Sequence, residues 1–81
     1  MIVSGNQLKA ARALIGLEQS ELAQEAGVSV NTIRNMESSG ANPVNGRTDT
    51  LNKILEALKT LGIIFVAENG EGPGVRLRKE K

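Results

Sequence analysis

Four residues of the stretch VNTIRNME, residues 30–37, are of the kinds that read the edge of a base pair. An asparagine amide can accept from adenine N6 and donate to N7 at once, an arginine can donate to guanine O6 and N7, and a valine can touch a thymine methyl. At helical spacing Ile33 and Met36 fall on one side of this stretch, and Val30, Asn31, Arg34 and Asn35 on the other. A single helix fits a major groove about 12 Å wide. In that pose Asn31 suits adenine, Val30 a thymine methyl, and Arg34 a guanine or a phosphate. Asn35, one turn after Asn31, reaches a further base or the backbone. The chemistry on offer is hydrogen bonding and contact, with no bond made or broken.

Covalent chemistry has little to work with. The 81 residues contain no cysteine and no histidine, which leaves no disulfide, thiolate metal site or imidazole base. Glu18, Glu21 and Glu25 fall on the solvent side of a short helical stretch, and no nucleophile stands beside a base. No enzyme activity, metal or other cofactor is expected. No window approaches the roughly 20 apolar residues of a membrane span. Residues 1–5, MIVSG, carry no basic leader region, so the expected location is the cytoplasm, on DNA, and not a membrane.

Charge at first argues against a nucleic-acid partner. Ten Lys and Arg against nine Asp and Glu leave a net charge of +1, far from a basic coat protein. The distribution is uneven: residues 1–47 carry four basic and four acidic groups, residues 48–73 two and four, and residues 74–81 four and one. The excess therefore sits in Arg76, Arg78, Lys79 and Lys81, where a solvated terminus and a phosphate-contacting tail are both open readings.

The elements that would hold the reading face follow from periodicity and caps. Ser4 caps a helix over about residues 5–15, with Leu8, Ala11, Leu14 and Ile15 at helical spacing and Gly16 at its end. Leu22, Ala23 and Ala26 make a second short helix behind Glu18, Gln19 and Glu21, closed by Gly27. Ser29 caps a third over about 30–38. The run SSGANPVNGR, residues 38–47, is a loop. Thr48 or Asp49 opens a fourth helix, with Leu51, Ile54, Leu55, Leu58 and Leu61 on one face, ending at Gly62. The period then changes: residues 63–67, IIFVA, read as a strand, residues 69–74 as a six-residue turn, and Val75, Arg76, Leu77 and Arg78 as a return strand. The fold class is mainly α, four helices followed by a C-terminal β-hairpin.

A two-stranded hairpin is marginal alone, and its first strand is apolar on both faces. At about 70 to 80 residues a lone core stops being self-sufficient, so a second subunit is the economical cover. The expected dimer interface is Ile63, Ile64, Phe65, Val66, Val75 and Leu77.

The run QSELAQEAGVSVNTIRNME, residues 19–37, resembles the helix-turn-helix of the lambda-repressor and Cro-type (XRE) family. Leu22, Ala23, Ala26, Gly27, Val28, Ile33 and Met36 occupy the positions this motif gives to apolar, small or turn-forming residues. The resemblance spans about residues 4–62 and implies a DNA-binding domain over residues 1–62. The hairpin and basic tail, residues 63–81, would complete the same compact unit. It also implies positioning contacts to phosphate: Gln19 at the helix start, Ser29 and Thr32 around the next one, and Asn42, Asn45, Gly46 and Arg47 in the loop. Arg12 and Glu37 fall where relatives form a partly buried ion pair. The implied function is a bacterial or phage-type transcriptional regulator, a repressor or controller, binding an inverted repeat of double-stranded DNA as a homodimer. A second reading stays open, an antitoxin-like module whose hairpin and tail hold a partner protein, with DNA binding secondary.

Overall fold

The structure is a computed structural model and describes residues 2–79. Its elements run α1 (Gly5–Ile15), α2 (Gln19–Ala26), α3 (Val30–Glu37), α4 (Thr48–Thr60), β1 (Ile63–Val66) and β2 (Gly74–Leu77). Lys81 lies outside the described residues.

Local chemistry sets each helix boundary. Ser4 and Gln7 form a reciprocal box at the start of α1: Gln7 N donates to Ser4 Oγ at 3.1 Å, and Ser4 N to Gln7 Oε1 at 2.9 Å. At the end of α2, Gly27 takes φ 71° and ψ 35°, a left-handed conformation that strains any residue with a Cβ. Val28 N then donates to Ala23 O at 3.0 Å, closing the turn and swinging Val28 back onto the core. Ser29 Oγ accepts from Thr32 N at 3.2 Å and starts α3 after only three intervening residues, Gly27 to Ser29.

The core joins every element. Val3, Leu8, Ala11, Leu22, Ala23, Ile33, Met36, Ile54, Leu58 and Ile63 are buried together. Helix α3 packs on α1 and α2, α4 on α2, and the hairpin bridges α4, through β1, and α1, through β2. The loop after α3 is pinned to the N-terminal segment by Val44 N to Val3 O at 2.8 Å and Asn6 N to Gly40 O at 2.8 Å. This makes a rigid mount for the end of α3, although the loop itself has no regular structure.

Several expectations need correction. Helix α3 stops at Glu37 and α4 at Thr60. As expected, Thr48 opens α4, behind Arg47 as a cap that offers no side-chain bond. Gly74 is no turn residue: it pairs with Val66 in an antiparallel register with Ile63↔Leu77, Ile64↔Arg76 and Phe65↔Val75. Strand β1 also ends one residue early, at Val66, and the connection spans residues 67–73. The physical cause is long-range, since Gln7 Nε2 donates to Gly74 O at 3.1 Å and draws that residue into the sheet.

Candidate nucleic-acid interface

Three side chains fix where α3 sits. Glu37 at its end is 1% exposed yet charged, and both of its oxygens are met. Arg12 Nε donates to Oε2 at 2.7 Å and Nη2 to Oε1 at 2.9 Å, a fork that no lysine could reproduce. Gln19 Nε2 adds a bond to Oε1 at 3.0 Å, and Arg12 Nη1 donates to Leu17 O at 2.8 Å. One carboxylate thus ties α1, the start of α2 and the end of α3. Burial alone would raise the Glu37 carboxyl, but the bonds from Arg12 and Gln19 and the charges of Arg12 and Lys9 outweigh it and hold it below its ordinary value near 4.5. The Arg12 guanidinium is raised in turn by its hydrogen bond to Glu37, against desolvation and with help from the Glu37 and Glu18 charges.

With α3 held from below by Ile33 and Met36, its other side faces out. Asn31, Arg34 and Asn35 are exposed together. Val30 is not bare, as its position suggested, but half-buried and packed against the core, so its side chain has a structural reason beside any contact to a base. Arg34 does not extend freely either. Its Nη1 donates to Asn31 Oδ1 at 2.7 Å, one turn back along the helix, and this bond joins two of the side chains expected to read bases.

The residues implied for phosphate contact surround this face unevenly. Ser29 is exposed, and its Oγ lies 2.9 Å from Thr32 Oγ1. Gln19 is half-buried, its side chain already donating to Glu37 while it stands at the first position of α2. Asn42, Asn45, Gly46 and Arg47 are exposed along the loop after α3. Arg47 pairs with Asp49 at 3.2 Å, both well exposed, and that hydrogen bond holds the Asp49 carboxyl below its ordinary range. So open a pair is readily exchanged for a phosphate.

The hairpin divides by alternation. Ile63 is 2% exposed and belongs to the core of its own chain, with Phe65 and Val75 half-buried against it. Ile64 and Val66 alternate to the other side of β1, where Arg76 stands opposite Ile64. Leu77 is exposed and lines a groove with Leu14, Ile15 and Leu61.

Two positioning residues escape a reading by motif. The amide of Gln7 serves the α1 cap and the hairpin at once. The Ser4-x-x-Gln7 spacing was a readable cap signal, but its second bond, 67 residues away, was not. Gly5 is the other: its N donates to Ser39 Oγ at 3.0 Å, and no side chain intervenes between α1 and the end of α3.

Among the described residues no cluster of His, Cys, Asp and Glu could hold a metal, and no helix is long and apolar enough to cross a membrane. No curated protein matches the chain. A family model described as helix-turn-helix matches residues 8–62, which takes in all four helices but for the first three residues of α1. The chain belongs to the lambda-repressor and Cro-type (XRE) helix-turn-helix family and is a DNA-binding regulator of that kind.

Proposed function

We propose that the protein is a transcriptional repressor or controller that binds an inverted-repeat operator as a homodimer, with α3 of each subunit in the major groove. Residues 1–62 are the reading unit, and residues 63–81 are the dimerisation element and basic tail of the same folded unit. The observation that carries this reading is the exposed face Asn31, Arg34 and Asn35, flanked by Val30 and mounted by the network that Arg12 and Gln19, both half-buried, make with the buried Glu37. Around it Gln19 N, Ser29, Thr32, Asn42, Asn45, Gly46 and Arg47 are the groups for phosphates. Specific recognition lives in base edges, whereas phosphate attraction gives sequence-independent affinity. A net charge of +1 therefore makes random DNA a poor competitor and makes one half-site too weak alone.

Shape and surface both favour a second copy. Half-sites one helical turn apart are separated by about 34 to 36 Å, a distance comparable with the 32 and 31 Å extents of one molecule. Ile64 and Val66 on the outer side of β1, with Leu77 and Leu14 beyond, supply apolar surface beside the hairpin.

The protein should shift a fragment carrying its own upstream region, protect an inverted repeat, and lose affinity as salt is added. The double variant Asn31→Ala, Arg34→Ala should bind that fragment on the order of 100-fold more weakly and no better than random DNA. Unchanged binding in the variant would remove α3 from the reading role.

Light scattering should give about twice the 8.6 kDa chain mass. Deleting the hairpin is the wrong test, because it uncovers the core around Ile63. Ile64→Glu is better: it places a carboxylate opposite Arg76, preserving the cross-strand pair while making the outer face polar. The expected result is a folded monomer, and a wild-type monomer at high concentration would sink the hairpin dimer.

A further inference from the structure

We infer that Asn31 and Arg34 act as one donor-rich unit that selects guanine over adenine at its position in each half-site. The inference rests on the reading of α3 proposed above and goes beyond it by naming the base. Asparagine matches adenine only when its oxygen accepts from N6 and its amide nitrogen donates to N7. Here Asn31 Oδ1 already accepts from Arg34 Nη1 at 2.7 Å, with both side chains exposed on the same face one turn apart.

That bond changes what the pair offers. Arginine has five N–H donors and no acceptor, so one is spent on Asn31 and four remain. Asn31 keeps its two Nδ2 hydrogens. The Asn31 oxygen keeps one lone pair, but with the guanidinium hydrogens beside it the outward edge is mainly donors. An adenine N6 amino group brought to that oxygen would meet Arg34 hydrogens, donor against donor, and would force the guanidinium to turn away. Guanine O6 and N7 are both acceptors and meet the pair as it stands. Asn35, exposed one turn beyond Asn31, is left as a separate reader with its own acceptor. Arg34 in this scheme both touches a base and positions the Asn31 amide.

The test selects bound duplexes from random DNA with the full-length protein, then with Arg34→Met, which keeps the length of the side chain and removes every donor. The relevant base pair is the one whose preference vanishes in Asn31→Ala, Arg34→Ala. For the wild type that base should be guanine, and changing it to adenine should weaken binding by about tenfold or more. Replacing it by 7-deazaguanine, which lacks the N7 acceptor, should also weaken binding. In Arg34→Met the Asn31 oxygen is released, and the preference should move to adenine. Adenine selected by the wild type, or the same base selected by both proteins, overturns the inference while leaving α3 as the reading helix. No sequence selected by the wild type overturns the reading face and the inference together.

Discussion

Glu37→Gln should lower the free energy of unfolding by about 3 kcal/mol, at the lower end of what breaking a buried ion pair costs. The lower end applies because the Arg12 side chain is 19% exposed and can partly rehydrate once its partner is neutral, whereas Glu37 at 2% has no water to turn to. A domain of this size is stable by roughly 5 to 10 kcal/mol, so the loss is a large share. Urea unfolding measures it, and a change below about 1 kcal/mol would mean that the fork from Arg12 contributes little. Replacing both partners, Arg12→Met with Glu37→Met, should cost less than the two single changes added, because no charge is left buried without its mate. DNA affinity should fall further than stability explains, since Gln19 and the end of α3 lose their common anchor.

The same residue sets an acid sensitivity with a definite sign. Glu37 has a folded-state pKa below its ordinary value near 4.5, so its stabilising contribution is complete above that value and is lost as pH falls through the lower, folded one. Wild-type stability should therefore drop below about pH 4.5 more steeply than that of Glu37→Gln. Asp49, also lowered, acts in the same window, but through an exposed pair with Arg47 that both proteins share.

Why α3 and its outward polar face were legible, and the arrangement of its side chains less so, follows from the range of the forces involved. Caps and periods are local: Ser29 and Gly27 each act within a few residues, and Ile33 and Met36 declare the inner face by spacing alone. Family likeness supplied the Arg12–Glu37 pair, which spacing could not. The Asn31–Arg34 bond lay within reach of the sequence, since three residues separate the partners. Sequence does not decide, however, whether an exposed arginine bonds a neighbour or solvent. Val30 misled because its burial comes from the core beneath the start of α3. Gly74 misled because glycine is at home in turns, whereas its pairing with Val66 places it in a strand, where the Gln7 amide from α1 also bonds its carbonyl. Strand β1 read as apolar on both faces, and its inner face is met by the neighbouring α4, while α1, far away in sequence, packs on β2.

Gly5→Ala should be the most damaging of the single-methyl changes at a glycine, and the reason is proximity and not conformation. A methyl there would lie 2.5 Å from Glu37 O, 2.6 Å from Ser39 Oγ and 2.7 Å from Met36 O. Two of these three atoms are backbone carbonyls at the end of α3, which cannot swing aside as a side chain would. Relief requires α1 and α3 to separate, and that motion pulls on the fork between Arg12 and Glu37 and on the bond from Gly5 N to Ser39 Oγ. Overpacking of this kind costs about 1 to 3 kcal/mol, and rigid neighbours place Gly5→Ala at the upper end. Alanine's better helix propensity, at most about 1 kcal/mol, does not offset it. Gly74→Ala is the control: no atom lies within 4 Å of the added methyl, and the backbone there is ordinary for any residue. It should leave stability within about 0.5 kcal/mol of wild type. Thermal or urea unfolding of the two variants tests the contrast. Equal stabilities would show that α1 slides freely over the end of α3, and the rigid mount of α3 would then have to come from Arg12 and Glu37 alone.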